Sequence, residues 1–306
     1  MANRLAVDIA GLKLKNPTML AAGILGMSGV SMLEVIRNGA GAVVTKSLGS
    51  KPRKGYPNPT IVQVDCGILN AMGLPNPSVD RYAEEIQEIK QSKVDAPVIV
   101  SVYGFSAYDF AEVARKAERI GADAVELNVS CPHVEGTGCE IGQDPKLVTD
   151  VVKKVKGAIK KPVILKLTPN IADIVALAEA GAKAGADAIT AINTVRAMKI
   201  DIETSQPVLS NKFGGLSGPA IKPIAVRCVY EICEQVKTPI IGCGGVTTWE
   251  DAVEFLLAGA SAVQIGSAIA WKDLGIFKSV NRGIDRYLRM KGFRSVEDIV
   301  GLSHRS

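Results

Sequence analysis

Gly121-Ala122-Asp123-Ala124-Val125-Glu126 is a phrase that the chain writes four times. The other copies are Gly39-Ala40-Gly41-Ala42-Val43-Val44, Gly185-Ala186-Asp187-Ala188-Ile189-Thr190 and Gly259-Ala260-Ser261-Ala262-Val263-Gln264. A second phrase, opening on proline, alternates with it: Pro17-Thr18-Met19-Leu20, Pro97-Val98-Ile99-Val100, Pro162-Val163-Ile164-Leu165 and Pro239-Ile240-Ile241-Gly242. Merged in chain order, the two phrases give eight short apolar runs. Glycine closes a preceding helix, and proline is tolerated at a strand's first residue, so both phrases mark strand entrances. Between the runs, apolar residues recur at three- and four-residue spacing over 106–120, 144–160, 171–184, 219–236 and 247–258. Asp144-Pro145 and Gly218-Pro219 place proline near first helical positions. Strands alternating with helices pair in parallel. Eight evenly built units predict a closed (β/α)8 TIM barrel, with an open doubly wound sheet as the alternative.

The rest of the composition fits one barrel domain over 1–306. A length of 306 residues with 47% hydrophobic content supplies a sizeable core, and 5% aromatics make that core aliphatic. Residues 4–15 precede the first strand and are expected to form a hairpin under the barrel. Residues 47–77 and 194–218 are insertions after strands two and six, at the strand ends where barrel active sites sit. A net charge of +5 with interspersed signs leaves no basic block for nucleic acid. Arg4, Asp8, Lys13 and Lys15 interrupt any leader-like apolar run, and no window is long and apolar enough for a membrane span. Six scattered cysteines without a CxxC pair predict free thiols in a reducing cytoplasm and no metal site.

The ends of the eight runs carry polar and small residues: Gly23, Lys46, Ser101, Asn128 with Cys131, Lys166, Asn193 with Thr194, Gly244 with Gly245, and Gly266 with Ser267. Lys166, inside Ile164-Leu165-Lys166-Leu167, is either a satisfied inward cation or an anion ligand. Its desolvation cost favours the ligand, and Lys46 reads the same way. The glycine turns after runs seven and eight suit phosphate, through backbone N–H groups, although tight turns alone would also use glycine. Cys131 follows the run Ala124–Val129 and precedes Pro132, which makes it either a buried structural thiol or a reactive one at the rim. Together these features point to redox chemistry on flavin mononucleotide, with Cys131 exchanging a proton. Schiff-base chemistry on a lysine is the competing use. With only His133 and His304 in the chain, a Ser–His–acid triad is unsupported.

Several motifs stand out in combination: Leu69 to Pro77 (LNAMGLPNP), Glu126 to Pro132 (ELNVSCP), Leu165 to Asn170, Ile192-Asn193-Thr194, Gly214 to Ala220 (GGLSGPA) and Gly242 to Val246. On these the chain resembles the class 1 dihydroorotate dehydrogenases, most closely the catalytic subunit of the class 1B, NAD-linked type. The resemblance implies oxidation of (S)-dihydroorotate to orotate in pyrimidine biosynthesis, with hydride passing to FMN and the C5 proton to Cys131. It implies Cys131, Lys46 and Lys166 as catalytic residues, Lys46 and Asn128 as contacts to both flavin and substrate, and Lys166 near the flavin's pyrimidine edge, stabilising its reduced anion. Ala22, Ser47, Ser101, Ile192, Gly218, Gly244, Gly245, Gly266 and Ser267 would surround the flavin. Asn70, Ala71, Met72, Gly73, Leu74, Asn193 and Thr194 would hold the substrate, and the stretch 135–142 would close over it. It also implies a dimer of catalytic chains within a heterotetramer, whose electron-transfer subunit carries FAD and an iron–sulfur (2Fe-2S) cluster. Asn193-Thr194 matches the 1B pattern, whereas the fumarate-using 1A type has Asn-Ser. The membrane-associated class 2 type uses serine as base. The fumarate-using 1A-like dihydroorotate dehydrogenase, a related FMN-dependent dihydropyrimidine oxidoreductase and a non-catalytic phosphate-ligand-binding barrel are the alternatives. The chain departs from the family pattern at His133, Ser101 and Ala22, where asparagine, asparagine and serine are usual.

Overall fold

The computed structural model describes residues 3–129 and 141–305. Val7–Ile9 (β1) and Leu12–Leu14 (β2) form an antiparallel hairpin. Its turn residues Ala10 and Gly11 have φ of 53° and 84°, the left-handed pair that a two-residue hairpin needs. Val7, Ile9, Leu12 and Leu14 are buried in the main core, while Asp8 and Lys13 face solvent.

The strands that follow are Thr18–Leu20 (β3), Ala42–Val44 (β4), Ile61–Val64 (β5), Gly67–Asn70 (β6), Val98–Val102 (β7), Ala124–Asn128 (β8), Val163–Lys166 (β9) and Ala188–Ala191 (β10). After them come Val195–Met198 (β11), the short pair Ile200–Asp201 (β12) and Gln206–Pro207 (β13), then Phe213–Ser217 (β14), Ile240–Cys243 (β15) and Ala260–Ile265 (β16). Among the described residues, β3, β4, β7, β8, β9, β10, β15 and β16 close into one parallel barrel in sequence order. These are the eight runs of the repeat, so the open-sheet alternative falls away.

Hydrogen bonding explains the two phrases. The carbonyls of Pro17, Pro97, Pro162 and Pro239 accept N–H groups of Val263, Val43, Val125 and Ile189 at 2.8, 3.1, 2.9 and 2.9 Å. Each proline sits where the ladder asks for an acceptor and not a donor, which suits a residue without an N–H. Gly39, Gly121, Gly185 and Gly259 have φ of 106°, 106°, 101° and 116°, just past the helices Gly29–Arg37, Ala107–Arg119, Ile174–Lys183 and Trp249–Leu257. The next alanine bonds back across the turn in three of them: Ala40 to Val35, Ala122 to Ala117 and Ala186 to Gly181. Gly-Ala-x-Ala is therefore a helix cap followed at once by a strand. The helix expected over 144–160 is shorter, Pro145–Lys156 capped at Gly157, because the chain must extend again before Pro162. The segment expected over 219–236 begins with a 3-10 turn, Pro219–Ile221, and becomes an α-helix at Lys222–Gln235.

The two insertions are not separate loops. β5 and β6 join β11 and β14 in a four-stranded antiparallel sheet, in the order β11-β14-β6-β5. The pairing of β6 with β14 sets Asn70 opposite Gly215 and Ile68 opposite Ser217. Leu69, Ala71 and Leu209 form a small buried core for this sheet, separate from the barrel's.

One carboxylate anchors the glycine turn after β15. Asp251 accepts the N–H of Thr247 and Thr248 at 2.8 and 2.9 Å, the Thr247 hydroxyl at 2.8 Å and Lys222 Nζ at 2.8 Å. It thereby caps the helix Trp249–Leu257 and ties it to Lys222–Gln235. Burial alone would raise its pKa, but Lys222 and the Thr247 and Thr248 donors hold it below the usual carboxylate range. A depressed native pKa contributes stability above the unfolded value, which is lost as pH falls through the native one. We expect Asp251→Ala to cost about 2 kcal/mol near neutral pH, with a gap from the parent that narrows as acid melts are taken below pH 4. A gap that stays constant into acid would contradict the charged role.

Candidate active site

The C-terminal ends of the barrel strands and the inner face of the insertion sheet enclose a cavity of about 460 Å3. That lies within the range of small-molecule sites, roughly 300–1,000 Å3. Its floor and walls include Lys46, Asn128, Lys166, Cys243 and Gln264, and Ile61, Ile68, Asn70 and Ser217 approach from the insertion sheet. The sheet is thus the roof that the paired insertions build.

Four polar side chains form a chain along one wall. Ser47 Oγ lies 2.9 Å from Ser101 Oγ and accepts from Asn128 Nδ2 at 3.0 Å. Asn128 Oδ1 accepts from Asn193 Nδ2 at 3.2 Å, and Asn193 Oδ1 accepts the Thr194 N–H at 2.8 Å. Each amide is held by a neighbour, so its remaining donor and acceptor capacity is aimed rather than free to rotate. Above them, Asn70 Nδ2 donates to the Gly215 carbonyl at 3.3 Å, across the strand pairing that joins the two insertions. Asn170, beside the wall, donates to the Thr194 carbonyl at 3.1 Å and fixes the start of β11.

The floor is cationic and deeply buried. Lys46 is 8% exposed and Lys166 4%. Lys166 Nζ donates to Gln264 Oε1 at 3.0 Å and lies 3.7 Å from Glu126 Oε1. The two sequence alternatives for Lys166 therefore coexist: it is a paired inward cation, and it lines the cavity.

The far end is backbone. Gly244 and Gly245 take φ of 135° and 76°, and a side chain at Gly245 would meet the Gly218 carbonyl and Lys222 Cβ at 2.8 Å. Among the described residues, no backbone acceptor takes the N–H groups of Gly244, Gly245, Gly266 or Ser267. Donors converging from two glycine turns suit a phosphate group. Lysine and amide groups at the other end suit a polar ring system. This donor set fits flavin mononucleotide.

A family model for dihydroorotate dehydrogenase matches residues 4–288. The chain belongs to the dihydroorotate dehydrogenase family.

Within it, three similar proteins are each named dihydroorotate dehydrogenase B (NAD(+)), catalytic subunit. The protein of Pyrococcus furiosus is 53% identical over 299 residues, covering 98% of both chains. That of Methanosarcina mazei is 52% identical over 301 residues, covering 98% of this chain and 95% of its own. That of Methanocaldococcus jannaschii is 50% identical over 302 residues, covering 98% of both.

Most residues expected from the dihydroorotate dehydrogenase resemblance line the one cavity: Ala22, Lys46, Ser47, Asn128, Lys166, Ile192, Gly218, Gly244, Gly245, Gly266 and Ser267, with Asn70, Met72, Gly73, Leu74, Asn193 and Thr194. Two do not. Ser101 is fully buried behind Ser47 and reaches the cavity only through that hydroxyl. Ala71 packs with Leu69 and Leu209 inside the roof, its N–H bonded to the Thr60 carbonyl at 2.8 Å. Serine is too short to pass Ser47, and Ala71, one residue past β6, falls on the same buried side as Leu69. Cys131, His133 and the stretch 135–140 lie outside the described residues. Sequence reasoning passed over Gln264, Ser217 and Cys243 as cavity residues. A polar Gln264 inside the apolar run Ala262–Ile265 was the available signal.

Proposed function

We propose that this chain oxidises (S)-dihydroorotate to orotate in pyrimidine biosynthesis, with FMN as its resident cofactor. The observation that supports it best is the convergence of Lys46, Asn70, Asn128, Lys166 and Asn193 on a cavity whose other end is the Gly244-Gly245 turn. FMN, which Lys46, Lys166 and the Gly244-Gly245 turn would hold, would supply the acceptor for the substrate's C6 hydride. Lys166 supplies the cation that offsets the negative charge this transfer creates. Asn70, Asn128 and Asn193 bind and orient the planar substrate through amide donors and acceptors. The C5 proton is α to a carbonyl and acidic enough for a thiolate, so Cys131 takes it. A free thiol has a pKa near ~8.5, so Cys131 needs a positive or hydrogen-bonding environment to act near neutral pH. The roof strands exclude water.

A partner subunit carrying FAD and a 2Fe-2S cluster would then pass the electrons on to NAD+. The similar proteins' names, which specify both NAD+ and a catalytic subunit, support this acceptor. The enzyme is then a cytoplasmic dimer of catalytic chains within a heterotetramer. Among the described residues no helix is long and apolar enough to cross a membrane.

Purified protein should carry about one extractable FMN per chain and turn over dihydroorotate with an artificial acceptor. It should leave dihydrouracil and dihydrothymine unchanged, because neither has a carboxylate for the amide wall. Turnover of dihydrouracil without turnover of dihydroorotate would replace the proposal with a dihydropyrimidine reductase.

A further inference from the structure

We propose that Glu126 and Gln264 are positioning residues that hold Lys166 at the cavity floor from within the barrel. The inference rests on the FMN reading above and extends it to the groups behind the lysine.

The repeat places these groups together. Its sixth position is Glu126 on β8, Thr190 on β10 and Gln264 on β16, with Val44 on β4. These are alternate barrel strands, and side chains from alternate strands share one interior layer. Three polar residues buried in one layer of the barrel interior must satisfy one another or cost stability. Glu126 Oε2 accepts Gln264 Nε2 at 2.7 Å and the Thr190 hydroxyl at 3.1 Å. Gln264 turns its other end to Lys166, whose Nζ it accepts at 3.0 Å. Strands β9 and β16 are not neighbours, so this contact crosses the barrel interior. Glu126 and Thr190 are 0% exposed and Gln264 is 1%.

The unit is built around a charge it does not fully bond. Glu126 Oε1 has no hydrogen-bond partner among the described residues and faces Lys166 Nζ at 3.7 Å. Here the ammonium stands off from the carboxylate, tethered by the amide, with donor capacity left toward the cavity. The groups set against Lys166 include Glu126 from β8, Cys243 from β15 and Gln264 from β16. Burial works against the lysine's charge, but Glu126 and then Cys243 outweigh it and hold its pKa above the ordinary value. Burial pushes the Cys243 thiol up, against the pull of Lys166. Glu126 is the carboxylate paired with Lys166, at 3.7 Å.

The test is a double-mutant cycle read on the midpoint potential of bound FMN between pH 5.5 and 10, using the parent, Glu126→Gln, Lys166→Met and the double variant. If Glu126 acts through Lys166, the effect of Glu126→Gln on the reduction equilibrium differs between the parent and the Lys166→Met background. The difference should reach at least ten-fold at some pH in that range, about 30 mV for a two-electron couple. Equal effects in both backgrounds, within two-fold at every pH, would overturn the proposal. Gln264→Met run through the same cycle gives the second arm, which decides the question if Glu126→Gln fails to fold. A parent protein that retains no FMN would refute the cofactor reading instead, so the two failures are distinguishable.

Discussion

Replacing Cys131 with serine should slow reduction of the bound flavin by dihydroorotate by at least 100-fold, with FMN content unchanged. General bases contribute about 10²–10⁴-fold, and a serine hydroxyl is far less acidic than a thiol, so little of it is ionised near neutral pH. The loss should fall on the rate of reduction at saturating substrate more than on substrate affinity, because Asn70, Asn128 and Asn193 remain to bind. Anaerobic stopped-flow at the flavin absorption band measures both. A serine variant within three-fold of the parent would remove Cys131 from the proposed role, and the proton would need another acceptor.

Lys166→Met carries the second large effect, in two parts. First, the floor loses the cation proposed to offset the charge of the reduced flavin, so flavin reduction by dihydroorotate should become slower and less complete. Second, Glu126 is left buried without its counter-charge. Breaking a buried pair from one side costs about 3–5 kcal/mol, so the apoprotein should also melt at a lower temperature. The sign with pH follows from the raised native pKa of Lys166. The pair's contribution is complete below the unfolded lysine value and is lost as pH rises through the native one. The parent's advantage over Lys166→Met should therefore hold across neutral pH and shrink only in strong alkali. Unchanged flavin affinity, reduction and melting temperature would contradict both parts.

The barrel was legible because two local signals each recur four times. Gly39, Gly121, Gly185 and Gly259 need left-handed backbone at a helix end, and Pro17, Pro97, Pro162 and Pro239 need only to accept in the ladder. Such requirements are met by single residues and survive in the sequence as punctuation. The rim residues followed from the strand ends. The roof was not legible, because it depends on β6 finding β14 across a separation of 145 residues, from Asn70 to Gly215. Nothing in either insertion alone specifies that partner. Alternation carried one residue past β6 also decides that Asn70 faces the cavity whereas Ala71 packs inside the roof. Glu126 and Gln264 were visible as polar residues in apolar runs, but the contact between them needs a closed barrel to bring β8 and β16 face to face.

The network under Lys166 also gives a reason for the polar residues at the repeat's sixth position. A Glu, a Thr and a Gln there are consistent with one another only as a set, since each satisfies its neighbour. Changing one alone leaves a buried group unpaired.

The most direct test of the central proposal is an anaerobic titration of the FMN-loaded chain, without any partner subunit, with (S)-dihydroorotate. The account predicts that about one equivalent bleaches the flavin band and releases one equivalent of orotate. A flavin band that stays oxidised in excess dihydroorotate, with no orotate formed, would contradict it.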